Sequence, residues 1–218
     1  MMTSRPNNAH ALGHVIVIDD DAAVRRSLRT MLERAGYAVS LHDCADAFLK
    51  NPVVPSPAVI LLDMRMPGTI GVGLQSHLKT LAKNVPVVFV SGDSRPEEII
   101  TAMKQGAVDF LLKPFTAQAM MDVIQRAMCL SEQAVLEADK NLQVSERLKR
   151  LTPREQEVCH WMVRGYSNQQ IAALDGGASA TIKLHRARVM DKMVARTLPE
   201  LIDMLMGIDI PAPQRALS

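Results

Sequence analysis

The sequence predicts an α/β fold in which a doubly wound, five-stranded parallel sheet is followed by a small all-α domain. Three observations support this prediction. From Val15 onward, short apolar runs alternate with amphipathic stretches, which is the order of repeated β-strand and α-helix units. After about residue 128 the strand-like runs stop and three helix-capping patterns follow. The chain has 218 residues, more than one typical domain of about 100–150 residues, so two domains are expected.

The first domain is predicted to span residues 14–128, after a disordered N-terminal segment, residues 1–13. Its first helix is expected between Asp21 as N-cap and Gly36 as C-cap. Five strands are predicted near residues 15–18, 38–42, 59–62, 85–90 and 108–112. The other helices are predicted to begin at Asp43, to cover residues 71–81, to begin at the capping pattern Ser94 to Glu97, and to begin at Thr116.

Residues 129–150 contain no Gly or Pro and are rich in helix-forming residues, which predicts a helical linker that continues the fifth helix. The apolar spacing in this linker is too irregular to predict a coiled coil, so a solvated connecting helix is the preferred interpretation. Residues 151–218 are then predicted to form a domain of four short helices, with capping patterns at Thr152, Ser167 and Thr197.

The net charge of the chain is only +2, but basic residues are concentrated in one stretch. Residues 179–196 contain five Lys or Arg residues and a single Asp. Such a stripe is typical of a helix that binds nucleic acid, and a solvated basic helix face is the alternative.

The three cysteines, Cys44, Cys129 and Cys159, are far apart and match neither a disulfide framework nor a zinc site. Residues 1–13 lack the apolar core of a signal peptide, and no apolar run approaches the ~20 residues that span a bilayer. These features predict a protein of the reducing cytoplasm with no membrane segment.

Polar side chains follow four of the predicted strands at the point where each strand ends. Asp19 and Asp20 follow the first strand, Asp63 the third, Ser91 the fourth and Lys113 the fifth. Because the carboxyl ends of parallel strands meet at one edge of a sheet, these side chains are expected to converge. Three close carboxylates repel one another unless a hard cation or the lysine neutralises them. The sequence therefore predicts a magnesium site suited to phosphoryl chemistry.

Two sets of motifs resemble known families. IDDD at 18–21, LLDMRMPG at 61–68, VSGDS at 90–94 and FLLKPF at 110–115 resemble the receiver domain of two-component response regulators. LTPREQEV at 151–158, GYSNQQIA at 165–172 and TIKLHRARVMDKM at 181–193 resemble the LuxR-like helix-turn-helix domain. Together, over about residues 14–206, they resemble a transcriptional regulator of the FixJ/NarL type. The resemblance implies a flavodoxin-like receiver followed by a DNA-binding domain.

The resemblance to receivers implies that Asp63 accepts a phosphoryl group from the phosphohistidine of a sensor histidine kinase. It implies that Asp19 and Asp20 bind Mg²⁺ together with Asp63 and the backbone carbonyl of Arg65. Such a protein is not an enzyme in the usual sense, because it is a phosphoryl acceptor with at most self-catalysed phosphotransfer and dephosphorylation.

The same resemblance assigns Ser91 and Lys113 to the transferred phosphoryl group, and Ser91 and Phe110 to the conformational switch. It implies a cis bond between Lys113 and Pro114. Taken alone, Ser91 is equally compatible with ordinary turn chemistry, whereas a residue such as Phe110 is more often a core residue than a switch. Phosphorylation is expected to produce a homodimer through the helix that begins at Ser94, the strand 108–112 and the helix that begins at Thr116.

In the second domain the resemblance implies a positioning helix from Ser167 to Leu174 and a recognition helix from about Ser179 to Arg196, which would bind the major groove of double-stranded DNA. Ile182, Val189 and Met193 recur at helical spacing and are predicted to face the core. The residues expected to face DNA are Lys183, Leu184 and Ala187 for bases, and Thr181, Arg186, Arg188 and Lys192 for phosphates.

One departure from the family lies in the turn between these two helices, where residues 175–178 are Asp-Gly-Gly-Ala instead of the usual Leu-Gly-Ile-Ser. This departure supports an alternative in which the second domain binds protein rather than DNA. An enzyme of the haloacid-dehalogenase type is a weaker alternative, because its general-acid aspartate is replaced here by Arg65. A dinucleotide-binding enzyme is weaker still, because no GxGxxG follows the first strand.

Overall fold

The computed structural model describes residues 11–50, 52–66, 69–70, 85–92, 95–104, 106–208 and 210, without the side chains of residues 69, 70 and 175. The chain divides into two compact units, Met1–Leu136 and Glu137–Ser218. The elements of the first unit are β1 (His14–Ile18), α1 (Ala22–Arg34), β2 (Ala38–His42), α2 (Ala45–Lys50), β3 (Ala58–Asp63), β4 (Arg65–Met66), β5 (Thr69–Ile70), β6 (Val87–Ser91), α3 (Pro96–Lys104) and β7 (Asp109–Leu112). Helix α4 (Ala117–Lys149) begins in the first unit and ends in the second, where α5 (Pro153–Val163), α6 (Asn168–Asp175), α7 (Ser179–Met193) and α8 (Leu198–Leu205) follow.

The first unit contains the predicted five-stranded parallel sheet, with strand order β2-β1-β3-β6-β7. From β1 the chain continues to β2 at one edge of the sheet. It then returns to β3 on the other side of β1 and continues through β6 to β7 at the opposite edge. This reversal places the topological switch point between the carboxyl ends of β1 and β3, where ligands bind in doubly wound sheets. Asp63 and Ser91 are the last residues of β3 and β6, so each of these strands ends one residue later than predicted.

Alternate strand residues form two cores, one on each face of the sheet. Val15 and Val17 of β1 pack in the core that α1 and the first half of α4 cover. Ile16 and Ile18 of the same strand pack in the opposite core with residues of α2 and α3. The central strands β1, β3 and β6 are therefore buried on both faces, which explains why their sequences are continuous apolar runs rather than alternating ones.

A short antiparallel pairing between β4 and β5, which begins two residues after Asp63, is not predicted by the sequence pattern. The predicted helix 71–81 lies outside the described residues, as does Ser94. Helix α3 begins at Pro96, where the Glu98 carboxylate accepts the Arg95 N–H at 3.0 Å. The predicted pairing of Ser94 with Glu97 lies outside the described residues.

The other caps of the first unit follow the sequence closely. Asp21 caps α1 by accepting the N–H of Ala23 at 2.7 Å. The observed C-cap of α1 is Ala35, so the predicted Gly36 lies one residue beyond it, with a φ of 94° that favours glycine. Thr116 accepts the N–H of Ala119 at 3.1 Å, as expected for the residue before α4. Helix α2 begins two residues after Asp43.

Two predicted boundaries change. The segment expected to be disordered includes residues 11–13, which are paired, since Leu12 N–H donates to the Gly36 carbonyl and Gly13 accepts from Ala38. Residues 1–10 lie outside the described residues. The predicted linker is exposed over residues 136–143, but it packs at both ends. Ser131 is buried and accepts the Ala58 N–H at 3.0 Å, and Val144 belongs to the core of the second unit.

The second unit is built on one core, to which all its helices contribute. Thr152 and Ser167 form complete capping boxes with Glu155 and Gln170. The third pattern is only half formed: Thr197 caps α8, but the Glu200 carboxylate accepts the N–H of Arg196 instead. Among the described residues no helix is both long and apolar enough to cross a membrane.

Candidate functional site

Lys113 lies between two buried carboxylates at the switch point of the sheet. Its Nζ donates to Asp19 Oδ2 at 2.9 Å and to Asp63 Oδ2 at 2.7 Å. Asp19 is 2% exposed and Asp63 8% exposed, so both charges are largely removed from water. Buried carboxylates require a counter-charge, and Lys113 supplies it here. The sequence prediction that these three residues converge is confirmed.

The local backbone orients each carboxylate. The Asp19 Oδ1 atom accepts the N–H of Asp21 at 2.8 Å, and the Asp63 Oδ1 atom accepts the N–H of Arg65 at 2.8 Å. These are aspartate turns in which the side chain bonds to the backbone two residues later. Sequence reasoning missed Arg25, whose Nη1 atom donates to the Asp19 carbonyl at 2.6 Å. Its place one turn into the helix that Asp21 caps could have indicated this contact.

Burial and the bonds of Lys113 act against each other on the pKa values of Asp19 and Lys113. Burial raises the pKa of Asp19, and the bond from Lys113 lowers it only in part. Burial alone would lower the pKa of Lys113, but its hydrogen bonds to Asp63 and Asp19 outweigh burial, so the pKa is raised. Lys113 is therefore a cation at neutral pH.

The third carboxylate, Asp20, is exposed beside this pair. Asp19, Asp20 and Asp63 each place one oxygen within 4.8 Å of the others. Carboxylate oxygens are the ligands preferred by hard divalent cations such as Mg²⁺. The donor set and its spacing therefore fit the metal that the sequence predicts, and exposed Asp20 provides a side open to solvent.

The remaining predicted residues lie around this edge. Ser91 is fully buried at the end of β6, and its carbonyl accepts the Lys113 N–H at 2.8 Å. The Lys113–Pro114 bond is cis. Phe110 is half-buried on β7 and packs against the core that faces α2 and α3. The Arg65 side chain is exposed on β4.

In the second unit the turn between α6 and α7 is formed by glycines and ends without a side-chain cap. Gly176 has a φ of 70°, and the N–H groups of Gly176 and Gly177 both donate to the Ala172 carbonyl. Ala178 is the N-cap of α7 and makes no side-chain hydrogen bond. Ser179 is the first residue inside the helix, so it does not take over the N-cap position from Ala178.

Helix α7 has one buried face and one exposed face, as predicted. Ile182, Val189 and Met193 are fully buried. The exposed residues on the predicted DNA face are Thr181, Lys183, Leu184, Ala187 and Arg188. Two other predicted phosphate contacts have intramolecular partners: Arg186 donates to the Tyr166 carbonyl at 3.0 Å, and Lys192 donates to Glu155 at 2.5 Å.

Both units match known protein families. Residues 15–125 match the response regulator receiver domain, and residues 149–205 match the bacterial regulatory proteins of the luxR family. The first match alone covers more than half of the chain. The chain belongs to the response regulators.

Relatives of the same architecture span almost all of this response regulator. It is 38% identical to the transcriptional regulatory protein FixJ of Bradyrhizobium diazoefficiens, over 89% of this chain and 95% of that protein. It is 36% identical to FixJ of Rhizobium meliloti, over 88% of this chain and 95% of the relative.

Two solved structures extend the comparison. The response regulator StyR gives a TM-score of 0.74 at 36% identity, covering 89% of this chain and 98% of that one. Full-length FixJ from B. japonicum gives a TM-score of 0.56 at 37% identity, and the match covers 90% of this chain and 97% of that chain. The chain is thus a two-component response regulator with a receiver and a LuxR-type DNA-binding domain. Its family is one of transcription regulators, which the phosphatase and dinucleotide-enzyme alternatives do not fit.

Proposed function

We propose that this response regulator is a cytoplasmic protein that is phosphorylated on Asp63 by a sensor histidine kinase and then binds DNA as a homodimer. The observation that carries the proposal is the position of the Asp63 carboxylate at the switch point, 2.7 Å from the Lys113 ammonium. An Asp63 oxygen attacks the phosphorus of the phosphohistidine, the P–O bond forms and the P–N bond breaks. The imidazole leaves with the electron pair and takes a proton from water.

The acidic residues at the same edge would bind Mg²⁺. Asp19, Asp20 and Asp63 would supply carboxylate oxygens and Arg65 its backbone carbonyl. When bound, the ion would neutralise charge on the carboxylates and on the transferred group.

Lys113 and Ser91 then stabilise the product. Transfer puts a phosphoryl group on the carboxylate that Lys113 now contacts, so its ammonium shifts to a phosphoryl oxygen. The Ser91 hydroxyl donates to another phosphoryl oxygen. Movement of Ser91 and Phe110 toward the new group changes the surface of α3, β7 and α4.

That surface is suited to self-association because it exposes apolar side chains. Ile100 and Met103 of α3 are 54% and 42% exposed, and Leu112 of β7 is 53% exposed. A dimer would present two copies of α7 to two half-sites, which raises avidity without new base contacts. In each copy the exposed residues Lys183, Leu184 and Ala187 contact bases, and Thr181 and Arg188 contact phosphates.

The test is phosphate incorporation from acetyl phosphate, measured by intact mass with and without Mg²⁺. The wild-type protein is expected to gain one phosphate in the presence of Mg²⁺. Asp63→Asn keeps the side-chain volume but removes the nucleophilic oxygen, so it should gain none. Labelling of Asp63→Asn at the wild-type rate, or labelling that is unaffected by a chelator, would contradict the assignment.

A second candidate is that the helix-turn-helix domain binds protein. The observation in its favour is the missing side-chain cap at Ala178, at the start of the helix that would enter DNA. An electrophoretic mobility shift with duplex DNA separates the two candidates, because a protein-binding domain gives no shift.

A further inference from the structure

Sequence reasoning assigns Lys192 to a DNA phosphate, but its ammonium lies against a buried carboxylate. Its Nζ donates to Glu155 Oε2 at 2.5 Å and to the Arg150 carbonyl at 3.2 Å. Glu155 is 2% exposed, and the same Oε2 accepts the Thr152 N–H at 2.8 Å. Burial alone would raise the pKa of Glu155, but the bonds from Lys192 and Thr152 outweigh burial and lower it. Movement of Lys192 toward a phosphate would leave a buried charge uncompensated.

A second cation contacts the same end of α7. The Nη1 atom of Arg147 donates to the Met193 carbonyl at 3.0 Å. That carbonyl is in the last helical turn, where carbonyls have no partner within the helix. The next residue, Val194, has a φ of 59° and is the one non-glycine residue with positive φ in the described part of the chain. A β-branched residue keeps this conformation only where surrounding contacts fix it.

We propose that Lys192 and Arg147 are positioning residues for DNA binding, which fix the last turn of α7 to the end of α4 and contact no phosphate themselves. The proposal rests on the proposed function of α7 as the recognition helix. Arg147 lies in the last turn of α4, and Arg150 follows directly after that helix. The bonds from Arg147 to Met193 and from Lys192 to Arg150 therefore connect the end of α4 to α7. A displacement of the end of α4 would move α7 with it.

The salt dependence of binding distinguishes the two roles. Each phosphate contact contributes ~0.9 to the slope of log affinity against log salt concentration. The full-length protein is phosphorylated with acetyl phosphate and Mg²⁺, and its binding to a labelled duplex of random sequence is measured by fluorescence anisotropy over a range of salt concentrations. Fluorescence of Trp161, the single tryptophan of the chain, verifies in each variant that the second unit is folded.

Arg147→Met is compared with Lys149→Met, which removes the same charge from the same helix end. Lys149 is exposed and pairs with Glu146 of its own helix, so it provides a matched control. Arg147→Met is expected to weaken binding about tenfold beyond the control, with an unchanged salt slope, because it loosens α7 without removing a phosphate contact.

Lys192→Met alone would leave the Glu155 carboxylate buried without a partner and could unfold the unit. The double variant Glu155→Gln/Lys192→Met avoids this, since glutamine is uncharged and still accepts the Thr152 N–H. It is expected to keep the wild-type salt slope. Arg188→Met, which removes an exposed cation assigned to a phosphate, should reduce the slope by ~0.9.

A slope reduced by ~0.9 in the double variant would make Lys192 a phosphate contact and overturn its positioning role. Equal affinities for Arg147→Met and Lys149→Met would overturn the role of Arg147. Both results leave the proposed function standing. Failure of the wild-type protein to bind the duplex at all would instead overturn the proposed function, and the positioning roles with it.

Discussion

Burial disfavours the ionised form of Asp19 in the folded receiver, although this carboxylate belongs to the acidic cluster whose donor set fits Mg²⁺. Burial raises the folded-state pKa of Asp19 above its ordinary value of 3.8, even with Lys113 as a partner. The Asp19 carboxyl therefore stays protonated to a higher pH in the folded state than in the unfolded chain. The resulting loss of stability begins as the pH rises above 3.8 and is complete above the raised folded-state pKa.

Asp19→Asn should therefore raise the melting temperature of the receiver at neutral pH, and the gain should disappear below pH 3.8. Melting followed by circular dichroism measures this directly. The control is Asp21→Asn, because helix N–H bonds from Ala23 and Val24 lower the pKa of Asp21 and its ionised form stabilises the fold. That control should melt lower at neutral pH. A lower melting temperature for Asp19→Asn at pH 7 would show that the ion pair with Lys113 outweighs burial.

Among the helices of the second unit, α7 begins with the weakest cap. Thr152, Ser167 and Thr197 each accept a backbone N–H at the start of α5, α6 and α8. Ala178 offers no oxygen at the start of α7. A missing cap typically costs ~1 kcal/mol, a large fraction of the stability of a domain this small.

Ala178→Ser should stabilise the second unit by ~1 kcal/mol, because the hydroxyl accepts one of the free N–H groups of the first turn. Denaturant unfolding followed by Trp161 fluorescence measures the change. Ser179→Ala is the matched control, and it should have little effect because Ser179 is inside the helix. No gain for Ala178→Ser would mean that other groups already satisfy this helix start.

Across the whole molecule, the parts that could be predicted are those set by local sequence. Each buried apolar run ends at a polar residue, so the sheet edge and the convergence of Asp63 with Lys113 follow from the pattern of runs. The partner of Lys192 could not be predicted in this way. Glu155 is 37 residues away, and their contact depends on how α5 and α7 pack, which helical periodicity does not determine. The bond between Ser131 and Ala58, at the start of the predicted linker, joins residues 73 positions apart. It could not be predicted from the sequence for the same reason.

Phosphorylation should convert the protein from monomer to dimer through the exposed apolar residues of α3 and β7. Light scattering with and without acetyl phosphate should show the mass doubling in the wild type. Ile100→Asp places a charge in the interface and should abolish the doubling. Val53→Asp, at a residue that is also exposed but lies outside this face, should leave it intact. Equal masses with and without phosphorylation over a wide concentration range would contradict dimerisation.

The central claim is that the acidic edge of the receiver controls DNA binding by the second unit. Its most direct test is the affinity of the full-length protein for an operator duplex, selected from a random library, before and after treatment with acetyl phosphate and Mg²⁺. The wild-type protein is expected to bind more tightly after treatment, and Asp63→Asn is expected to show no change. An equal gain in Asp63→Asn, or no gain in a wild-type protein that has taken up phosphate, would contradict the claim.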